Sequence, residues 1–422
     1  METAKSTGMS QRQLKNGYFI LEGLNSFSTV YYLYYLYFLM QTMFGFGNKA
    51  NLTLAAANGL IYAVGSFWAG RFAQKFGYFT ALKWGISIAI LALITGTQVN
   101  TASGQVVVMS IMVAGMCFTW PALEALVSDR ETPEGVQHMI GIYNVVWSGT
   151  GALAYFTGGA MLEKLGMKSL FWVPAAIQVG QLGLTFWLES KARKPEVVRN
   201  SFEGLEPPSS LAQSASSIDP SRFAATRTFL KLAWLANPFA YIAMNTLVAV
   251  MPGMAHKLGL STMAAGFCCS IWCFARLGAF CFLWNWSGWH YQFKWLLAAY
   301  VALVGMFATL LLAPNLTVLV LAQIVFGAAV GLIYYSSLYY SMDNTENHGE
   351  HGGIHEAAIG LGNFAGPAIG AISLQLLPQF TNSAAAAVST LLACGLAGLM
   401  VIWRQGRIYQ SPNPKCRTPA KK

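Results

Sequence analysis

Apolar stretches alternate with short polar segments along most of this chain. A helix needs about 20 apolar residues to cross the hydrocarbon core of a bilayer, and a continuous run of that length indicates a membrane span. The pattern predicts twelve such helices, so that the fold class is an all-α membrane protein. The predicted spans are residues 17–44, 52–72, 79–98, 105–128, 138–162, 169–189, 228–252, 261–284, 294–313, 317–341, 353–377 and 384–404.

One polar segment is much longer than the others and lies between the sixth and seventh spans. Residues 190–227 contain four Pro residues, a Ser-rich stretch and charges of both signs. Such a composition cannot bury an apolar core and is typical of a flexible linker. The sequence therefore predicts two six-helix bundles joined by this linker and followed by a tail: residues 1–189, 190–227, 228–404 and 405–422.

The two halves resemble each other weakly. Span 5 carries the pattern Gly-x-x-Asn-x6-Gly-Ala from Gly141, and span 11 carries the same pattern from Gly360. Spans 1 and 7 share Asn-x-Phe, beginning at Asn25 and Asn237. Matches that pair span 1 with 7 and span 5 with 11 predict a pseudo-symmetric fold with a binding site between the halves.

Composition and charge place the chain in a membrane. Of its residues 55% are hydrophobic and 10% are charged, whereas a soluble domain has about 25% charged residues. The net charge of +10 does not indicate nucleic acid, because the basic residues lie in short loops and tails. If the N-terminus is inside, 21 of the 26 Lys and Arg residues fall in inner segments and 4 in outer loops. This asymmetry predicts a plasma or inner membrane protein with both termini in the cytoplasm.

Several functional classes find no support in the sequence. No Gly-x4-Gly-Lys-Ser/Thr loop is present, so ATP is not expected to supply energy. The seven Cys residues lie mostly inside apolar runs without metal-ligand spacing, and we expect no metal and no cofactor. His348, His351 and His355 precede Glu356 in a Gly-rich segment that we interpret as a solvated loop. No nucleophile and base are paired, so an enzyme is not expected.

The whole-chain pattern resembles the major facilitator superfamily, through its twelve spans, cytoplasmic termini and basic loop after the sixth span. Gly70, Lys75 and Gly77, between spans 2 and 3, match a loop motif of that family. Gln74 stands where the motif has an acidic residue. The resemblance implies two bundles that alternate access to a central site, with these three matching residues in a gating loop.

Three acids are candidates for proton coupling. Glu22 begins a polar stripe on one face of span 1 that continues at Asn25 and Thr29. Glu124 lies in span 4, and Glu356 opens span 11. An ionised side chain facing lipid costs about 2.5–3.5 kcal/mol, so we expect these acids to face a cavity or a partner. Alternatives are a carboxylate that reaches water at the interface and a structural salt bridge.

Arg276 is the one basic residue well inside a predicted span. Arg keeps its charge, so it requires an anionic partner, either Glu22, Glu124 or an anionic substrate. Together with polar and aromatic residues in other spans, it completes the predicted substrate pocket: Asn25, Thr29, Tyr32, Asn144, Trp147, Asn245, Trp272, Arg276, Tyr335 and Asn363.

The sequence thus predicts a secondary active transporter that moves a small organic solute by symport or antiport, coupled to protons or another ion. We expect a monomer in the lipid bilayer with no nucleic-acid partner. One alternative is an exporter or flippase of lipophilic or amphipathic compounds. Another is a membrane sensor or assembly factor that does not transport. The sharpest structural expectation is that residues 22, 25, 124, 276 and 363 converge on a cavity between the halves.

Overall fold

The computed structural model of the protein describes residues 9–129, 131, 133–192, 220–342 and 348–410. Most of the predicted linker and the end of the predicted tail lie outside these residues. Within them the chain forms the following helices: α1 (Gln11–Phe44), α2 (Asn48–Phe76), α3 (Tyr78–Gly96), α4 (Ala102–Met116), α5 (Trp120–Ser128), α6 (Pro133–Leu165), α7 (Ser169–Ala192), α8 (Pro220–Lys257), α9 (Thr262–Cys269), α10 (Ile271–Asn285), α11 (Phe293–Leu311), α12 (Leu316–Met342), α13 (His348–Leu376) and α14 (Ser383–Gln410).

These helices confirm the predicted all-α membrane fold. Each of the twelve predicted spans coincides with one helix or, for spans 4 and 8, with the pairs α4–α5 and α9–α10. Among the described residues, ten of the spans are long and apolar enough to cross a membrane by composition alone. The other two are α1 and α6, in which polar and hydroxyl side chains interrupt the apolar sequence. Both helices contribute to the site described below.

Equivalent helices of the two halves pack in equivalent ways. In the N-terminal half α1 packs on α6, α3 on α4, and α3 on α7. The corresponding contacts in the C-terminal half join α8 to α13, α11 to α12, and α11 to α14. The same set of neighbours therefore recurs after six spans, which is the pseudo-symmetry expected from the weak sequence repeat.

Span 4 is interrupted where α4 ends and α5 begins. Pro121 occupies the first turn of α5, where its missing N–H leaves no intrahelical bond unmade. The amides of Phe118 and Thr119 bond to carbonyls three residues back, at 3.1 and 3.0 Å. This tight turn changes the direction of the second half of the span. Glu124 lies in that half, on α5, one turn beyond Trp120.

Span 8 is interrupted at Ser270, where the sequence contains no proline. The side chain of Gln323, on α12, bonds to the backbone on both sides of the break. Its Nε2 donates to the carbonyl of Cys268 at 2.8 Å, and its Oε1 accepts the Trp272 amide at 3.4 Å. A side chain inserted into a helix ladder satisfies backbone groups that the break exposes. Gln323 thereby positions the segment that carries Trp272 and Arg276.

The halves touch closely along α2 and α13. A Cβ atom on Gly59 would lie 2.3 Å from the carbonyl carbon of Asn363, and one on Gly360 would lie 2.4 Å from Cα of Ala63. Because any side chain at these two positions would meet backbone, only glycine permits this approach. Near the end predicted to face outside, Lys49 donates to Gln375 of α13 at 2.8 Å.

A second contact between the halves runs along α6 and the pair α9–α10. A Cβ on Gly159 would lie 2.2 Å from the carbonyl oxygen of Thr262, and one on Gly141 would lie 3.0 Å from the indole nitrogen of Trp284. Gly159 lies near the predicted outer end of α6 and Gly141 near its inner end. Together with the α2–α13 contact, this packing brings the halves together on both sides of the membrane.

A buried lysine caps the end of α5. Lys15, 5% exposed, donates from Nζ to the carbonyls of Val127 and Asp129 at 2.5 and 2.6 Å and lies 3.4 Å from the Glu131 carboxylate. Burial lowers the pKa of Lys15, and the negative charge of Glu131 opposes that shift. A cation here interacts favourably with the negative end of the helix dipole.

We therefore predict that Lys15→Ala destabilises the protein by about 1–3 kcal/mol, because buried carbonyls lose their donor. Denaturant titration in mixed micelles measures the free energy of unfolding. Lys49→Ala is the control, since Lys49 is exposed and its loss should change stability by less than about 0.5 kcal/mol. Equal effects of the two substitutions would contradict the capping role.

Candidate functional site

Three acids from the two halves meet in the interior. Glu22 on α1 is 0% exposed and Glu356 on α13 is 4% exposed. Glu124 on α5 interacts electrostatically with both of them. Within the described part of the chain, no Lys or Arg forms an ion pair with any of the three, because the ion pairs there are Lys15–Glu131 and Lys83–Glu189. The acids predicted from three separate spans thus form one cluster.

Hydroxyl and indole donors hold two of these carboxylates. Glu22 Oε1 accepts hydrogen bonds from Ser26 Oγ at 2.7 Å and from Trp120 Nε1 at 3.2 Å. Glu356 accepts the hydroxyl of Tyr62, which belongs to α2 of the other half. The rings of Tyr62 and Trp120 touch edge to face, with centroids 6.0 Å apart. A continuous chain of contacts therefore links Glu22 in one half to Glu356 in the other.

Arg276 lies between the halves in a setting of aromatic rings. Its guanidinium carbon is 4.4 Å from the centroid of Trp147, on α6, and 5.0 Å from that of Trp272, on its own helix. Its Nε donates to Ser148 Oγ at 3.3 Å, and Nη1 lies 3.8 Å from Met244 Sδ. Two rings stabilise the cation through cation–π contacts, and the side chain is 5% exposed.

The two anionic partners suggested from the protein itself, Glu22 and Glu124, do not bind Arg276. No carboxylate in the described residues lies within 4.0 Å of its guanidinium. Tyr241 and Tyr334 are each within electrostatic range of Arg276, Glu124 and Glu356. Two tyrosine side chains are therefore near both the acid cluster and Arg276, and the site has two charged regions of opposite sign.

This separation leads to a prediction about stability. Arg276 forms no ion pair with a carboxylate, so its removal leaves no acid without a partner. The stability lost in Arg276→Ala should therefore not be restored by a second change of Glu22 or Glu124 to Gln. The effects of the single substitutions should add within about 0.5 kcal/mol. Had the pair been direct and buried, breaking it would cost about 3–5 kcal/mol and neutralising the acid would restore stability. Melting temperatures of the single and double variants distinguish the two cases.

The predicted asparagine residues take different roles in packing. Asn363 and Asn245 bond to each other, joining α13 to α8 inside the C-terminal half. Asn144 accepts the indole N–H of Trp147 at 2.9 Å. Asn25 and Thr29 are each 1% exposed, and neither Asn25 Nδ2 nor Thr29 Oγ1 has a hydrogen-bond partner in the described part of the chain.

The tyrosines of α1 divide between two sides of that helix. Tyr32, the predicted pocket residue, packs edge to face on Phe171 of α7, with centroids 6.0 Å apart. Tyr34 instead faces the other half and stacks on Trp272 at 6.5 Å with an interplanar angle of 22°. The geometry therefore points to Tyr34 as the tyrosine of α1 beside Arg276, while Tyr335 lies in the cavity described next.

A cavity of about 260 Å³ lies between α6 and the helices α10 and α12. It is at the end of the bundle that we predict to be cytoplasmic and reaches Asn144, one turn from Ser148, which binds Arg276. Small-molecule sites usually have volumes of about 300–1,000 Å³, so this cavity is slightly smaller than most of them. The lining residues are His138, Ile140, Gly141, Asn144, Leu283, Trp284, Ser287, His290, Tyr335, Leu338 and Tyr339.

The predicted gating loop is a tight turn. α2 ends at Phe76 and α3 begins at Tyr78, so that Gly77 alone joins them. Gly77 has φ +93°, a conformation that favours glycine. Lys75 lies with its ammonium 5.2 Å from the ring of Phe76, and Gly70 has open space around it. The side chains of His348, His351 and His355 lie outside the described part of the structure.

Several residues of the site were not singled out by the sequence analysis. All are uncharged side chains in apolar helices, where composition alone cannot distinguish a packing residue from one that faces the site. The weak signal was a hydroxyl or amide within an otherwise apolar run, which recurs at many positions. They are Tyr34, Tyr62, Tyr143, Tyr241, Met244, Gln323 and Tyr334.

Comparison with known proteins places this architecture. Residues 18–367 match the family described as Major Facilitator Superfamily. A crystal structure of a variant of the nucleoside transporter NupG superposes with a TM-score of 0.63, at 14% identity over 94% of this chain and 99% of that chain. The human organic anion transporter MFSD10 (TETRAN) superposes with a TM-score of 0.64, at 15% identity over 93% and 99%.

At these identities the two structures show the fold alone. The sequence matches none of the curated proteins with which it was compared. The family match covers most of the chain, and it agrees with the helix order and with the pseudo-symmetric packing of the halves. The chain therefore belongs to the Major Facilitator Superfamily.

Proposed function

We propose that this protein is a proton-coupled secondary transporter of a small organic solute, which works by rocking its two halves around the site between them. The observation that carries the proposal is the cluster of Glu22, Glu124 and Glu356, which has no basic partner among the described residues. Glu22 and Glu356 are buried, and Glu124 is half-buried. Buried ionisable groups in membrane helices mark ion or substrate pathways.

The side chains of the acid cluster are suited to binding and releasing a proton. A carboxylate that accepts bonds from hydroxyl and indole groups, as Glu22 and Glu356 do, can take up a proton and lose it again without a metal. Because Tyr62 and Glu356 belong to opposite halves, a change of charge at Glu356 acts directly on a contact between them. Proton binding and movement of the halves are thereby coupled.

Arg276 and its aromatic neighbours form the solute-binding region in this proposal. Trp147, Trp272 and Tyr34 provide apolar faces, and Asn25 and Thr29 on α1 provide buried polar atoms. The two structurally similar proteins are a nucleoside transporter and an organic anion transporter, which favours a small organic solute for this protein as well. The protein would act as a monomer with cytoplasmic termini.

Uptake by vesicles reconstituted with the purified protein tests the proposal. A panel of metabolites, with and without an imposed pH gradient, should identify a solute whose accumulation depends on that gradient. Vesicles without protein give the background. If no solute moves although the protein is folded, the proposal fails and the alternative of a sensor or assembly factor is favoured. Solute movement that does not depend on the pH gradient but depends on a gradient of another ion would refute the proton coupling. It would leave the proposed transport of a solute intact.

A further inference from the structure

The surroundings of Arg276 contain many hydrogen-bond donors and few hydrogen-bond acceptors. A guanidinium carries five N–H donors, and the structure uses its Nε for Ser148 and Nη1 for Met244 sulfur, a weak acceptor. The rings of Trp147 and Trp272 contact the cation but accept no strong hydrogen bond. The described residues around Arg276 therefore leave most of its hydrogen-bonding capacity without a strong acceptor.

A second buried donor lies beside it. Trp272 is 0% exposed, and its indole nitrogen has no hydrogen-bond acceptor in the described part of the chain. Its ring is 5.0 Å from the guanidinium carbon of Arg276. A buried donor without an acceptor is unfavourable, and a ligand oxygen placed beside it would accept its hydrogen bond. Both groups thus require the same kind of ligand atom.

We propose that Arg276 binds the carboxylate of a small organic monoanion and that the rings of Trp147, Trp272 and Tyr34 pack against its apolar body. This inference rests on the proposed function, because it names the substrate class of the same site. A carboxylate matches the planar guanidinium through two parallel hydrogen bonds. The flat aromatic faces supplied by both halves favour a compact, partly apolar or aromatic body rather than a sugar.

The charges of the site indicate whether the anion is transported alone or together with a proton. With one acid ionised, Arg276 and the acid cluster together carry no net charge. Binding of a monoanion together with one proton preserves that balance, whereas the anion alone would add a buried negative charge, which is costly in a membrane. Transport of the two together is therefore electroneutral.

Titratable and polar groups from several helices face these charges. Those near the acids come from α1, α2, the turn after α4, α5, α6, α8 and α12, and those near Arg276 come from α1, α6, α8, α10 and α12. They are Ser26, Tyr62, Cys117, Trp120, Tyr143, Tyr241, Tyr334, Tyr34, Ser148 and Cys273. None of them is basic, so the proton that accompanies the anion is held by Glu22, Glu124 or Glu356.

Paired ligands test the proposal on the purified full-length protein. Lactate, benzoate, mandelate and phenylacetate are each compared with their neutral amides by thermal shift and by equilibrium binding. At least one carboxylate should raise the melting temperature and bind about 10- to 100-fold more tightly than its amide, since hydrogen bonds to charged groups are worth that much. Arg276→Lys should lower that affinity by a similar factor, because an ammonium lacks the planar fork.

Arg404→Lys is the matched control, since Arg404 is exposed at the end of α14. Its carboxylate affinity should equal that of the unmodified protein. The proposal is overturned if no carboxylate of the panel binds better than its amide, or if Arg276→Lys binds as well as Arg404→Lys. A pH-driven uptake of neutral or cationic solutes alone would overturn this inference while leaving the proposed function intact. A net current during carboxylate uptake would overturn electroneutral transport.

Discussion

Vesicles containing Glu22→Gln are expected to show no accumulation of the transported solute when a pH gradient is imposed, although the protein remains folded. A pH difference of one unit stores about 1.4 kcal/mol per proton, which supports up to about tenfold accumulation for one proton per solute. The amide cannot carry that proton. Its Oε1 can still accept the bonds from Ser26 and Trp120, so the packing around α1 is preserved.

Two readouts separate a coupling defect from a folding defect. The accumulation ratio should fall to about one, because only the coupling step is removed, while exchange of labelled for unlabelled solute across the membrane should continue. Glu163→Gln is the control, since Glu163 is exposed and accepts the Met263 amide at 2.7 Å, a bond that the amide side chain can also accept. Normal accumulation by a well-expressed Glu22→Gln protein would remove Glu22 from the coupling role.

Gly360→Val is expected to abolish transport by preventing the two halves from closing along α2 and α13. Even the first atom of a side chain at Gly360 would lie 2.4 Å from Cα and 2.6 Å from N of Ala63. Backbone atoms of a packed helix cannot move aside locally, so the helices must separate. Because alternating access requires the closed arrangement once in every cycle, a molecule that cannot close cannot complete the cycle.

Cross-linking measures the closure directly. Cysteines introduced for Lys49 and Gln375, whose side chains bond across the halves at 2.8 Å, should be joined by a bifunctional thiol cross-linker that spans the length of the two replaced side chains. A protease site inserted between the halves reveals the cross-link, because cleaved halves then remain joined. With Gly360→Val we expect much less cross-linked protein.

Gly305→Val provides a matched control for this experiment. Gly305 lies within α11 with open space around the position of a Cβ, so the same substitution makes no backbone clash there. It should leave both transport and cross-linking close to those of the unmodified protein. If Gly360→Val cross-links as well as Gly305→Val, the substitution does not prevent closure. If it cross-links poorly but transports normally, closure along α2 and α13 is not required for transport.

The positions of the charged residues were predictable as a set, but their partners were not. Lipid penalises every ionised group, so Glu22, Glu124 and Arg276 had to face other helices. The sequence left open whether Arg276 pairs with either acid. The answer depends on residues from α6 and α8, and the structure places Ser148, aromatic rings and a sulfur around the guanidinium instead.

The rotation of each helix about its own axis could also not be predicted from the sequence. Consecutive residues point about 100° apart, so among the tyrosines of α1 some must face lipid-side neighbours and others the centre. Since buried residues lie on more than one side of α1, its apolar pattern does not mark one face. Only packing against Phe171 on one side and Trp272 on the other shows that Tyr32 and Tyr34 face different environments.

The sequence by itself determined the number and length of the spans and their division into two related halves, because a bilayer imposes about 20 apolar residues on each crossing. The break in span 4 also has a local cause, because Pro121 cannot continue a helix ladder. The break at Ser270 depends on Gln323, whose side chain reaches it from another span. The tertiary structure alone decided such contacts, because a partner supplied by a distant helix leaves no trace in the local pattern of the chain.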